Sequence, residues 1–396
     1  MQDKALVRIR LGQVLETISD FLLVFFIVAR QAFRYVPGFS GIWPLARYAF
    51  YFIVGYRIIR TPKIRKNIFF GWEIAFLAMA FLCSFLSKYS DNAISKCIEV
   101  FFMLVDVTCI VQYCLPERKL EVVFRAFLLS GAAIAMIQLS NFSIAAINTG
   151  TNQILNRFSL SEFENPNITA LKLYVSVISG FYLLYFKCGF FKTTVILTGL
   201  SSVAMVLTGS RKTFIIAVIV AAILFISGKK KYLKVALLVI GSIVAYDIIM
   251  TNTVIYNIIG WRLESLSGGA DASAIERSRL RLDAINTGLE HIFLGVGLNN
   301  SMYYTSIGMY AHNNYAEIFA DLGLFGLLIF YSLYLVMFNR IFSCTNRRER
   351  CYWLLFIFSF LAIDYGQVSY NLFSCIMPMA ILSLNFLNSK QCDHRF

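Results

Sequence analysis

Long apolar runs, separated by short and mostly basic breaks, set the rhythm of this chain. A helix that crosses a bilayer needs about 20 consecutive apolar residues. With that length as a ruler, the runs predict twelve helices, near residues 16–34, 41–59, 68–87, 94–115, 122–140, 169–186, 193–208, 213–227, 233–250, 314–338, 352–366 and 369–388. The eighth and eleventh are short. The first 17 residues are mixed and polar, and no small-residue cleavage site follows the first apolar run, so no removable signal peptide is expected.

The rhythm breaks twice. Residues 141–168 are rich in Asn, Ser and Thr, and residues 251–313 form a much longer interruption. Loops of that length in a compact protein are usually functional or disordered. Within the second, Ile275, Leu280, Leu282, Ile285 and Leu289 recur at helical spacing and predict an amphipathic helix over 273–291. The expectation is one all-α polytopic membrane domain over 1–396, with about twelve transmembrane helices and a large, partly helical loop between helices 9 and 10.

Composition agrees: 58% of the 396 residues are hydrophobic and 15% are charged, whereas a soluble domain carries roughly 25% charged residues. A net charge of +14 would by itself suit nucleic acid, so the position of the charge decides. With a cytoplasmic N-terminus, more than half of the 36 Lys and Arg fall in cytoplasmic segments, among them RTPKIRKN (60–67), GKKKYLK (228–234) and NRIFSCTNRRER (339–350). This obeys the positive-inside rule, and no nucleic-acid partner is needed to explain the charge. Both termini are then cytoplasmic, and the loops at 141–168 and 251–313 face the opposite side. Neither loop contains any of the nine cysteines, and no CxxC or Cys/His ligand spacing occurs.

Arginines on the outer side run against that rule and carry more information. TGSRK (208–212) puts Arg211 and Lys212 in a hairpin between the seventh and eighth helices. In ERSRLR (276–281), Arg277 and Arg281 are four apart and share a helix face, while Arg279 points elsewhere. Guanidinium groups bind phosphate bidentately and stay charged. Two converging arginines suit a diphosphate, which for an embedded protein points to a lipid-linked substrate. The plainer alternatives are contact with phospholipid headgroups, or pairing with Glu264, Asp271, Glu276, Asp283 and Glu290.

The third basic feature is His312, in MYAHNNYAEIFADLGLFGLLIF (309–330), where Asn313, Asn314, Tyr315 and Glu317 stand directly before an apolar run. An imidazole can take a proton from a hydroxyl at neutral pH, and Glu317 and Asp321 lie close enough in sequence to orient it. The plainer alternative is a polar contact at the membrane interface. No Asp-x-Asp pair occurs and no carboxylate cluster resembles a Mg²⁺ site, which disfavours a metal-dependent sugar-nucleotide transferase. GVGLNN (295–300) is a lone glycine pair without a Walker pattern.

Taken in order, NPNITA (165–170), TGSRKTF (208–214), RSRLRLDAINTGLEHIFLGVGLNN (277–300) and AHNNYAEIFADLGLFGLLIF (311–330) resemble the bacterial O-antigen polymerase and O-antigen ligase superfamily. The resemblance covers roughly 165 to 330. It implies a GT-C-like glycosyltransferase of the bacterial inner membrane, with an undecaprenyl-diphosphate-linked oligosaccharide as donor and neither metal nor cofactor. Arg211 with Arg277 or Arg281 would hold the diphosphate, and His312 would serve as base or hydroxyl-orienting group. Arg279, Lys212, Asn313, Asn167 and Glu317 would lie around the substrate. Two departures leave open which arginine of 277–281 is the ligand: the superfamily's Trp a turn after the loop arginine is absent, and GLEHIFLG lacks a Pro before the glycine pair.

Within the superfamily a polymerase joins one lipid-linked repeat unit to another, and a ligase moves the finished chain to lipid A core. The minimal scaffold favours the polymerase, with lipid-linked donor and acceptor and room for a chain-length regulator as partner. A lipid-linked oligosaccharide flippase is the alternative from another class. It would need neither clustered external arginines nor a His-Asn motif, and the two similar halves that would favour it are not visible.

Overall fold

A computed structural model of the chain describes residues 2–34, 36–60, 67–115, 119–140, 164–227, 231–256, 260, 264, 272–344 and 346–385. Most of the expected 141–168 loop, the stretches 257–259, 261–263 and 265–271 of the larger loop, and parts of the basic segments near 60–67 and 228–234 lie outside the described residues.

Among the described residues every regular element is helical. In chain order these are α1 (Gln2–Val28, continued by a π-helical turn, Ala29–Phe33), α2 (Ile42–Arg60), α3 (Ile68–Phe85), α4 (Ser90–Cys114), α5 (Leu120–Ser140), α6 (Pro166–Tyr185), α7 (Phe191–Leu207) and α8 (Arg211–Ile226). There follow α9 (Lys231–Thr251), α10 (Ala272–Glu290), a 3₁₀ turn (Ser301–Tyr304), α11 (Asn314–Phe342), α12 (Arg347–Asp364) and α13 (Phe373–Asn385). A helix stands on each of the twelve apolar runs, and α10 occupies the expected amphipathic stretch shifted by one residue. By length and composition α3, α5, α6, α9 and α11 can each cross a membrane. The chain is a polytopic helical membrane protein.

The chain divides into two compact units, Met1–Ile64 with Lys119–Glu264, and Arg65–Arg118 with Ser265–Phe396. In the first, α5, α6 and α7 pack through small side chains. Gly131 lies so close to α6 that an added Cβ would meet Ser176 Oγ at 1.9 Å, and Ser176 in turn shares a hydrogen bond with Ser201 of α7 at 3.0 Å. Small residues at such contacts let helices approach closely where no water drives their association.

In the second unit, α3 packs along α11. Trp72 Nε1 donates to the Ile329 carbonyl at 3.0 Å, and Trp72 and Phe76 meet Phe330 edge-on with centroids at 5.7 and 5.4 Å. Much of the interior packing here is aromatic: Phe69, Phe76, Phe330 and Trp353 are all buried.

Candidate functional site

In the second unit the segment 291–313 is folded against the start of α11, and α11 itself is interrupted to receive it. Gly323 has φ +65° inside the helix. Leu324 N–H, whose helical acceptor would be Ala320, donates instead to the Ile292 carbonyl at 2.7 Å. The Ala320 carbonyl is taken over by Val296 N–H at 2.9 Å, and the Asp321 carbonyl accepts Gly297 N–H at 2.8 Å. The two backbones cross in van der Waals contact: a Cβ on Gly323 would meet the Phe293 carbonyl at 2.4 Å, and one on Gly295 would meet the Asp321 carbonyl at 2.4 Å. The glycine pair of GVGLNN is thus a docking strip for a broken helix. A lone Gly-x-Gly carries no such signal, because its partner lies in a distant apolar run.

Two buried carboxylates of α11 hold the rest of the segment. Asp321 accepts the N–H groups of Asn299 at 2.7 Å and Ser301 at 2.9 Å. Glu317, 1% exposed, accepts the Ser301 hydroxyl at 3.1 Å and Ala311 N–H at 2.7 Å. Glu317 thus faces inward and pegs the backbone immediately before His312. Asn313 is the N-cap of α11, its Oδ1 accepting Ala316 N–H at 2.9 Å while its Nδ2 donates to the Tyr365 carbonyl at 2.9 Å. Asn314 Oδ1 accepts the N–H groups of Ser369 and Tyr370 at 2.9 and 3.1 Å, tying α11 to the turn after α12.

His312 is left on this frame at φ +54°. A non-glycine residue held there costs on the order of 1–3 kcal/mol and persists only where its surroundings over-determine it. Its ring packs on Tyr310 with centroids 4.1 Å apart.

Arg277 and Arg281 are one turn apart on α10. Arg281 Nη1 donates to the Tyr365 hydroxyl at 2.8 Å, and its guanidinium lies 5.2 Å from the centre of that ring. Arg279 faces Asp283, whose carboxylate accepts Ser306 N–H at 2.9 Å. That hydrogen bond, with help from Arg279, holds Asp283 below the ordinary carboxylate range. Burial pushes the Tyr310 phenol up, against the opposing pull of Arg277. Among the described residues none of the three arginines forms an ion pair with Glu276, Asp283 or Glu290, and Glu264 is engaged by the Tyr256 hydroxyl at 2.5 Å. Asp271 lies outside the described residues.

Hydrogen bonds and ring contacts therefore gather Arg281, Tyr365, Asn313, His312 and Tyr310, and Arg277 stands one turn before Arg281 on α10. Tyr310 and Tyr365, the two aromatics that link the cations to the His-Asn segment, were not singled out in the sequence. Tyr365 stands in DYG at the end of α12, which reads only as a turn.

Arg211, Lys212 and Asn167 belong to the first unit. Arg211 opens α8 after a turn in which Gly209 has φ +63° and the Ser210 and Thr213 hydroxyls are 2.9 Å apart. Two cations at a helix N-terminus concentrate positive potential there. Asn167 lies in the first turn of α6, capped by Asn165, whose Oδ1 accepts Asn167 N–H at 2.9 Å. Beside it the buried Glu164 accepts the Thr169 hydroxyl at 2.8 Å and binds Lys172 at 2.5 Å. Among the described residues no three of His, Cys, Asp and Glu are grouped as a metal site.

The stretch from α7 to α11 that carries Arg211, α10, the glycine strip and the His-Asn segment is also where the chain is similar to a known family. Residues 196–331 match the O-antigen ligase family, Wzy_C. The match covers about a third of the chain and bears out the resemblance to the O-antigen polymerase and ligase superfamily over that stretch. No curated protein matches the chain.

Proposed function

We propose that the chain is an O-antigen polymerase, or a polymerase of a related surface polysaccharide. In this reading it joins undecaprenyl-diphosphate-linked repeat units at the periplasmic face of the bacterial inner membrane. The observation that carries the chemistry is the grouping of His312, on a backbone pegged by Glu317 and Asn313, with Arg281, which Tyr365 joins to the same segment; by helical spacing Arg277 shares the face of Arg281. The acceptor hydroxyl attacks the anomeric carbon of the donor sugar as the bond from that carbon to the diphosphate oxygen breaks. The bonding pair leaves with the diphosphate, where fixed guanidinium charge stabilises it. His312 takes the hydroxyl proton. For Arg211, in the first unit, the sequence motif alone supports a role toward the diphosphate, and its own substitution tests that role. No step calls for a metal ion or a cofactor.

A ligase reading draws on the family description and uses the same chemistry with lipid A core as acceptor. Deletion of the gene, with surface glycan run on a gel and lipid-linked intermediates extracted in parallel, separates the readings. Core carrying a single repeat unit without a ladder supports the polymerase. Bare core with long polymer still on the lipid carrier identifies a ligase. Single lipid-linked units trapped on the cytoplasmic side identify a flippase and overturn both. Unchanged surface glycan removes the chain from this pathway.

A further inference from the structure

The polar network that seats the glycine strip also does something the transfer chemistry does not use. Asn300, fully buried, donates through Nδ2 to Ser87 Oγ at 2.7 Å and to the Tyr89 carbonyl at 3.1 Å, and its Oδ1 accepts Asn92 Nδ2 at 2.8 Å. Ser87 donates to the Val296 carbonyl. These bonds clamp the turn between α3 and α4 onto the segment that follows α10. Each partner brings aromatic side chains, and the clamp places them side by side.

Tyr89 and Tyr303 meet with ring centroids 4.4 Å apart, and Tyr304 stands edge-on to Tyr89 at 6.4 Å and to His291 at 6.0 Å. Tyr89, Tyr303 and Tyr304 are 37%, 49% and 38% exposed. Large exposed apolar faces grouped in one place mark binding surfaces. This one is held by buried hydrogen bonds on both supporting segments, so its rings lose little freedom when something packs on them.

We propose that Tyr89, Tyr303 and Tyr304 form a platform for the sugar rings of the glycan substrate, a subsite one or more sugars away from the reacting bond; this rests on the glycosyl-transfer reading above. A pyranose offers one face of C–H groups, which packs on an aromatic ring, and an edge of hydroxyls, which needs polar partners. The platform offers both: the rings of Tyr303 and Tyr304, and that of Tyr89 with the Lys88 ammonium over it at 5.5 Å, their hydroxyls, and the exposed His291 at the rim. It is also joined to the segment that carries His312. Ser301, two residues before Tyr303, donates its hydroxyl to the carboxylate of Glu317 that also accepts Ala311 N–H next to His312. One buried side chain thus fixes both the platform and the proposed base. The other use of surface tyrosines, anchoring at the membrane interface, would need no such clamp between two loops.

The test uses the full-length protein in nanodiscs and, as probe, surface glycan released from its lipid by mild acid from cells carrying the gene. Saturation-transfer NMR reads contact of tyrosine rings with sugar protons, and a titration reads affinity. Tyr303→Ala and Tyr89→Ala each weaken glycan binding about tenfold, the scale of one lost stacking partner, while Tyr303→Phe keeps it within about twofold. The same alanine variants, in cells, shorten the ladder without abolishing it. Glycan affinity and ladder unchanged in the Tyr89→Ala/Tyr303→Ala double variant, with normal protein levels, overturn the platform while leaving glycosyl transfer intact. Quenching of the tyrosines by brominated lipid, with no sugar contact, overturns it in favour of a membrane anchor. A gene deletion that leaves surface glycan unchanged strikes instead at the underlying function.

Discussion

Arg281 and Tyr365 are joined twice over, by a 2.8 Å hydrogen bond from Nη1 to the phenol oxygen and by the guanidinium lying against the ring. The carbonyl of the same tyrosine accepts Asn313 Nδ2, so the arginine and the His-Asn segment share one support. Tyr365→Phe removes only the hydroxyl acceptor. A hydrogen bond to a charged group is worth about 1.5–3 kcal/mol, so transfer by the purified protein is expected to fall about tenfold or more. Arg281→Ala, which removes the charge itself, is expected to cost on the order of 10²–10³ in rate.

His312→Ala is expected to lower the transfer rate on the order of 10²–10⁴, the usual contribution of a positioned proton acceptor. The side chain lies on the surface of Tyr310 rather than in a packed core, so the variant is expected to unfold at the same temperature as the parent. Rate and thermal unfolding measured on the same preparation check both halves.

Arg211→Ala is expected to abolish polymer in a complemented deletion strain, and Lys212→Ala to leave the ladder intact. Arg211 opens α8 and carries the motif; Lys212 is its neighbour in sequence. Normal product with normal levels of the Arg211→Ala protein would sink the role of this arginine in holding the diphosphate.

Gly323→Ala meets both a left-handed φ and a carbonyl 2.4 Å from its new methyl group. The backbone cost alone is of order 1–3 kcal/mol, and the clash adds to it, so thermal unfolding in detergent is expected at a clearly lower temperature. Gly71→Ala in α3 is the control. Nothing lies within 4 Å of that site, and alanine gains about 1 kcal/mol over glycine in a helix interior.

Asp283 ties α10 to Ser306 N–H, and that bond is what holds its carboxyl below the ordinary range. A group whose pKa is lowered by folding contributes stability above its unfolded value, and the contribution is lost as pH falls through the folded one. Hydrogen exchange at Ser306, corrected for intrinsic rate, is therefore expected to show protection at neutral pH that disappears on acidification. Asp283→Asn is expected to flatten that dependence.

The helices were legible because lipid imposes a single strong rule, a run of apolar residues of fixed minimum length, and α10 because its apolar positions recur every third or fourth residue. α1 begins earlier than its apolar run, at Gln2, since polar residues continue a helix that apolar ones define. The resemblance over 196–331 was legible from short motifs in order. What the sequence hid was long-range. Nothing in DLGLFGLLIF announces that Gly323 breaks the ladder, because the loop segment that repairs it, Ile292 to Gly297, lies far upstream in the chain. Only the fold reveals that Ala311 N–H and the Ser301 hydroxyl engage Glu317 in the interior. Tyr365 and Tyr89 carried no signal at all, since each becomes meaningful only through a residue more than 80 or 200 positions away.

The interruption of α11 has a bearing on how the protein is made. A helix with its ladder broken roughly 15 Å from its start exposes a carbonyl and an N–H that hydrocarbon cannot satisfy. α11 is therefore a poor candidate for entering the bilayer as a finished rod. The strip that completes it, Ile292 to Gly297, leaves the ribosome first and is already in hand when α11 emerges. Chain order thus supplies the repair before the break, and an early stall or a deletion in the loop is a defect of membrane insertion as much as of catalysis.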